Sequence, residues 1–134
     1  SIIPTASFAG HLEPKETEIR PGGDLAHTNL SRADLFGANL RVANLRNANL
    51  SGADLGGAKL RGANLSNANL SGANLGSADL NSANLINANL SGANLGFADL
   101  GRARLKGITA RNLRACPSAL PGRWACINYS LIQR

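Results

Sequence analysis

Leucine recurs at every fifth position over most of this 134-residue chain, from position 25 to position 105. This stretch holds seventeen such leucines, and from Ala33 to Ala103 an alanine stands two residues before each of them. The position between alanine and leucine is Asn or Asp in fifteen of the seventeen units, the exceptions being Lys59 and Arg104. A fixed period of this kind is typical of a repeat architecture, and it outweighs local helix propensity.

A period of five excludes both a single helix and a single long strand. Five residues advance an α-helix by about 500°, a net ~140°, so the leucines would spread around its surface. In one long strand the leucines would alternate between faces, because five is an odd number. Alanine and leucine, two residues apart, do share one face of a short extended segment, and a turn can then reset the phase. The pattern therefore predicts an all-β solenoid of short strands and turns, with alanine and leucine inside.

A second period, of twenty residues, predicts how many units close one coil. It is shown by Ser31, Ser51, Ser71 and Ser91, by Asn47, Asn67 and Asn87, and by Arg41 and Arg61. Side chains stacked on adjacent strands tend to match, so four units form one coil of square cross-section, and coils lie ~4.8 Å apart. We expect about four coils over residues 24–107, an N-terminal cap at residues 1–23 and a C-terminal cap at residues 108–134.

The pattern Ala-(Asp/Asn)-Leu-x-x resembles that of the pentapeptide-repeat proteins, which fold as right-handed quadrilateral β-helices. The match covers residues 24 to about 107. In that family the leucine is the central inward residue and the alanine two before it is the second, which agrees with the spacing seen here. Handedness is implied by the resemblance alone. The predicted interior includes Leu45, Leu65, Leu85, Ala63 and Ala83.

The two cysteines lie in the predicted C-terminal cap. Cys116 and Cys126 bracket nine residues that include two prolines and a glycine, which favours a disulfide, with two free thiols as the alternative. A metal site would need further ligands nearby, and both histidines lie near the other end of the chain. A disulfide indicates an oxidising compartment, a periplasm or a thylakoid lumen, with the cytoplasm as the alternative. A terminal Cys pair also resembles cyanobacterial and chloroplast-lumen members of the family. Trp124 is expected to pack on the last coil.

The positive charge is concentrated at the C-terminal end. Residues 1–99 hold seven basic and eight acidic side chains, whereas residues 100–134 hold seven basic and none that are acidic, giving +6 overall. Such an end could dock an acidic protein, a nucleic acid or an anionic membrane. The interpretation we favour from sequence is a solvated cap whose charges prevent end-to-end strand pairing. Candidate partner-binding residues here are Arg102, Arg104, Arg111 and Arg114.

Stacking at twenty residues per coil also predicts two neighbouring glycine-rich columns. They contain Phe36, Gly56, Gly76 and Gly96, and beside them Gly37, Gly57, Ser77 and Phe97. This predicts a flat face, flanked by Phe36 and Phe97, that could admit a partner or a second copy. The interpretation we favour is that turn geometry requires the glycines. The same arithmetic predicts a contact between Lys59 and Asp79, worth ~0–1 kcal/mol.

These features together predict a non-enzymatic structural or protein-binding solenoid. No nucleophile with a base and an orienting group is visible, so we assign no catalytic residue, no metal site and no cofactor. Catalytic carboxylates are the weaker hypothesis for Asp34, Asp54, Asp79 and Asp99, since each occupies a slot that Asn fills elsewhere.

The expected partner is a protein, and no apolar run reaches the ~20 residues of a membrane-spanning helix. Nucleic acid is disfavoured because only Trp124 and Tyr129 could stack on bases at the basic end. A gyrase-interacting DNA mimic, known within the resembled family, would need an acidic surface, which the net charge of +6 disfavours.

Overall fold

The computed structural model describes residues 16–134, so most of the predicted N-terminal cap lies outside the described residues. It contains a short 3-10 helix, Glu16–Glu18, and two strands, β1 (Trp124–Ile127) and β2 (Ser130–Gln133). Between them the backbone alternates single bridged residues with turns. In this part of the chain no helix has the length and apolar character needed to cross a bilayer.

Parallel bridges between residues twenty apart connect the repeat region. Asn44 bridges Asn64, which in turn bridges Asn84. The Leu45 N–H donates to the carbonyl of Asn64 at 2.7 Å, and the Asn64 N–H donates to the carbonyl of Ala43 at 2.9 Å. The predicted twenty-residue period is thus confirmed in the backbone. One bridge, between Asn94 and Ala115, spans twenty-one residues, where the five-residue register has already ended.

The residue before each leucine, Asn or Asp in most units, forms the bridge, and a two-residue turn follows the leucine. The Ala68 N–H donates to the Leu65 carbonyl at 3.0 Å and closes the turn. The second turn residue has positive φ, which is +59° at Asn67 and +70° at Gly62. Glycine and asparagine adopt this conformation more readily than other residues, which explains their frequency at this position.

The interior consists of leucine and alanine, as the spacing indicates. Among the described residues no polar or charged side chain is buried. The interior residues named from the sequence are all 0% exposed: Leu45, Leu65, Leu85, Ala63 and Ala83. Burial of a leucine side chain contributes roughly 1.5–3 kcal/mol, so this column is the main source of stabilisation.

A β-hairpin covers the C-terminal end of the stack. Strands β1 and β2 pair antiparallel, with Cys126 opposite Leu131. The Leu131 N–H donates to the carbonyl of Ala110 at 3.0 Å, and the Leu113 N–H donates to the carbonyl of Tyr129 at 2.9 Å. Leu131 is buried and the half-buried Trp124 packs against the same core. The inner face of the hairpin therefore closes the apolar interior.

We predict that Leu65→Ala lowers the free energy of unfolding by about 2–5 kcal/mol, because the narrow interior cannot collapse around the cavity. Urea unfolding followed by circular dichroism measures the change. Arg46→Ala, at an exposed turn position, is the control and should stay within about 0.5 kcal/mol of the parent. Equal effects of the two substitutions would contradict the assignment of Leu65 to the core.

Candidate functional site

The aspartates weighed as catalytic carboxylates act as turn acceptors in the structure. In each, Oδ1 accepts the backbone N–H two residues later, at 2.8–3.2 Å, and Asn side chains do the same in other units. The four residues are Asp34, Asp54, Asp79 and Asp99. Within residues 16–134 no group of three or more His, Cys, Asp or Glu side chains is placed to hold a metal ion.

Side-chain amides also join neighbouring coils. The Asn74 Nδ2 donates to Asp54 Oδ1 at 3.0 Å, and the Asn94 Nδ2 donates to Asn74 Oδ1 at 3.1 Å. Asn74 Oδ1 also accepts the Gly76 N–H at 3.0 Å. One short amide thus closes a turn and binds the adjacent coil. The polar groups in this ladder are therefore engaged in hydrogen bonds that stabilise the fold.

The sequence predicts that Lys59 pairs with Asp79 between coils, but the structure pairs Asp79 with a different basic residue. The two backbones do bridge, but Asp79 Oδ2 lies 3.6 Å from Nε of Arg61. The reason is that Asp79 Oδ1 accepts the Asn81 N–H at 3.0 Å, which turns the carboxylate toward the corner. Arg61 stands in that corner, one coil below Asn81.

The glycine-rich columns form a turn corner, which agrees with turn geometry as the reason for the glycines there. Both columns occupy the two turn positions between bridged sides. The corner is also not bare, because the Phe36 ring lies against Gly56, where an added Cβ would be 3.0 Å from two ring carbons. Gly57 has a φ of +64°, so turn geometry accounts for that glycine.

Phe36 and Phe97 stand at opposite ends of this corner, in the first and the fourth coil. Phe36 is 61% exposed and Phe97 is 83% exposed. Phe97 has a φ of +59°, an uncommon conformation for an aromatic residue. The structure therefore places Phe97 near the C-terminal end and leaves Phe36 three coils away.

The candidate arginines surround the last coil. Arg104 bridges Asn84 on the first side, and Arg102 occupies the corner before it. Arg111 stands at the corner between the second and third sides, where its carbonyl accepts the Gly92 N–H. Arg114 follows on the third side, where its N–H donates to the carbonyl of Ala93. The four arginines are thus distributed around three sides of the stack.

All seven basic side chains after residue 100 are exposed. Within residues 16–134 the ion pairs are Arg20–Glu18 and Arg61–Asp79, and neither involves the C-terminal end. No acidic residue follows Asp99 in the sequence. The end therefore carries a concentrated positive charge that other parts of the described chain do not neutralise.

Sequence reasoning missed an apolar patch on the terminal hairpin. Ile127, Tyr129 and Ile132 are 42%, 58% and 43% exposed. Alternation of inward and outward residues on either side of the two-residue turn at positions 128–129 was the signal that could have revealed it. The patch and the arginines lie at the same end of the molecule, and we call them together the C-terminal surface.

A disulfide joins Cys116 and Cys126, whose Cα atoms are 6.0 Å apart. It connects strand β1 to the chain segment that leaves the last coil. The Leu113 N–H also donates to the carbonyl of Tyr129, and the Leu131 N–H donates to that of Ala110. These two hydrogen bonds and the disulfide hold the hairpin in one orientation. The C-terminal surface is therefore built on a fixed support.

Comparison with known proteins places the repeat region in a family. The model of the family described as Pentapeptide repeats matches in eight copies, at residues 22–48, 28–67 and 68–107. Among curated proteins, none matches the chain.

Two solved structures are similar in both sequence and fold. The pentapeptide repeat protein Rfr23 from the cyanobacterium Cyanothece 51142 is 40% identical, with a TM-score of 0.64 over 75% of this chain and 65% of that chain. This chain thus spans just under two thirds of that protein's length. A pentapeptide repeat protein from the thylakoid lumen of Arabidopsis thaliana is 34% identical, with a TM-score of 0.58 over 79% of this chain and 71% of that chain. These neighbours imply the right-handed quadrilateral β-helix.

We predict that replacing both cysteines (Cys116→Ser with Cys126→Ser) lowers the unfolding free energy by about 2–3 kcal/mol, as expected for releasing a loop of about ten residues. Limited proteolysis should then cleave residues 114–134 before the repeat region. Reductant should reproduce both effects in the parent protein and change nothing in the double variant. An unchanged cleavage pattern would show that packing alone holds the hairpin.

Proposed function

This chain belongs to the pentapeptide repeat family, and we propose that it is a non-enzymatic binding module whose C-terminal surface docks on an anionic partner. The observation that carries this proposal is the set of seven exposed basic side chains in the last 35 residues, with no acidic residue among them. A protein is the partner that the sequence analysis predicts. The stacked coils would serve as a rigid support for the docking end.

The sides of the solenoid offer less for recognition. Their Asn and Asp side chains are engaged in turns and in ladders between coils. The corner that contains Gly56 is partly covered by Phe36. The C-terminal surface, in contrast, carries unpaired charge and exposed apolar groups together. These contrasts favour the end of the molecule over its sides.

We also infer the finer architecture and the compartment. The solenoid has about four coils over residues 24–107, with a cap on each side of it. The disulfide and the thylakoid-lumen neighbour both support an oxidising compartment, a periplasm or a thylakoid lumen. The charge distribution supports an anionic partner and gives no support to mimicry of DNA.

The proposal predicts that reversing two cations weakens capture of the partner. Tagged protein is incubated with the soluble and membrane fractions of an extract from the source cells, and bound material is quantified. The Arg111→Glu/Arg114→Glu variant should lose what the parent retains, in either fraction, because four units of charge change at the docking end. Higher salt should weaken capture by the parent.

The matched control is Arg41→Glu/Arg46→Glu, which makes the same change of net charge at exposed positions where the first coil meets the second. It should capture as the parent does, and circular dichroism should show that both variants are folded. Equal capture by all three proteins would contradict a docking role for the C-terminal surface.

A further inference from the structure

The outer face of the terminal hairpin presents exposed apolar side chains. Because successive residues of a strand point to opposite faces, the burial of Leu131 fixes the orientation of its neighbours. Ala125 lies opposite Ile132, and Ile127 lies opposite Ser130, on the face turned away from the core. This face contains no charged residue.

A hairpin that served only to protect the end of the solenoid would be built differently. Capping units of repeat proteins need a polar outer face to remain soluble. Here Ile127 and Ile132 are 42% and 43% exposed, and Tyr129 at the turn is 58% exposed. The interior is already closed by the opposite face of the hairpin, so the outward isoleucines are not required for that closure.

Positive charge surrounds this apolar tip. Backbone hydrogen bonds join Leu131 to Ala110 and Tyr129 to Leu113. Because Arg111 stands between Ala110 and Leu113 in the chain, it lies beside the hairpin. Arg123 and Arg134 stand at its open end, where the Arg134 N–H donates to the carbonyl of Arg123 at 2.7 Å. The remaining basic side chains of this end lie on the last coil below: Arg102, Arg104, Lys106 and Arg114.

The size of the end distinguishes between two kinds of anionic partner. One side of a coil spans about three extended residues, roughly 10 Å of backbone, so the end is a narrow tip with cations around it. A standard protein interface takes about 800 Å² from each partner. An anionic bilayer needs no matching shape, and each Lys or Arg near its surface adds to binding independently.

We propose that the C-terminal surface docks on an anionic lipid bilayer. Ile127, Tyr129 and Ile132 enter the boundary between headgroups and acyl chains, while the surrounding cations bind lipid headgroups. The solenoid then stands with its long axis away from the membrane. The inference rests on the proposed function, because it requires that this end is a docking surface.

Co-sedimentation with protein-free vesicles tests the inference on the full chain. One set of vesicles contains phosphatidylcholine alone, and the other also contains about one third phosphatidylglycerol. The parent should bind the anionic vesicles only, and less at higher salt. Arg111→Glu/Arg114→Glu should weaken binding by at least about 30-fold, the effect of two lost cations at the surface.

Two further variants make the result specific. Ile127→Thr/Ile132→Thr keeps strand-favouring residues but removes apolar surface, and it should weaken binding by about tenfold or more. The control Arg41→Glu/Arg46→Glu should bind as the parent does. Thermal unfolding by circular dichroism verifies that each variant is folded before binding is compared.

The outcomes separate the two proposals. Lack of binding to anionic vesicles, or equal binding by the isoleucine variant and the parent, overturns the lipid inference. Suppose that the parent does not bind anionic vesicles, but captures from the soluble fraction a protein that the Arg111→Glu/Arg114→Glu variant does not capture. The partner is then an acidic protein, and the proposed function stands. If neither vesicles nor extracts depend on Arg111 and Arg114, both proposals fail.

Discussion

The narrow interior of the coil is the constraint on which the rest of the structure depends. Leu65 and Ala63, both 0% exposed, show what fits in one side of a coil: one large aliphatic residue and one small one. A second large residue in the alanine slot would have no space in a square of such short sides. The fixed alanine of the repeat is therefore as important as the leucine, because together they set the cross-section that every coil above and below must match.

Stacking then determines which residues are free to vary. The Asn or Asp of each unit closes a turn, and several also bind the next coil, as Asn74 does. The sides of the prism are consequently uniform from coil to coil. Distinctive chemistry is concentrated where stacking ends, in the hairpin and the arginines of the last coil. A solenoid built in this way is a support whose specific surface lies at its end.

Much of the fold could be predicted because backbone register follows directly from periodicity. The bridge between Asn44 and Asn64 is required once twenty residues close a coil. The ion pair was misassigned because a periodic pattern positions backbones and not side-chain rotamers, and the turn N–H of Asn81 redirected Asp79. The apolar tip was missed because Ile127 and Ile132 lie outside the repeat, where only the folded hairpin shows which residues point outward.

Hydrogen bonds between coils are the most direct test of this account. In uniformly labelled protein, scalar couplings across hydrogen bonds connect a donor nitrogen to the acceptor carbonyl carbon. The stack predicts couplings from the Leu45 nitrogen to the Asn64 carbonyl and from the Leu65 nitrogen to the Asn84 carbonyl, each nineteen residues ahead. Couplings from these leucines to carbonyls four residues behind would indicate a helix and would contradict the stacked coil.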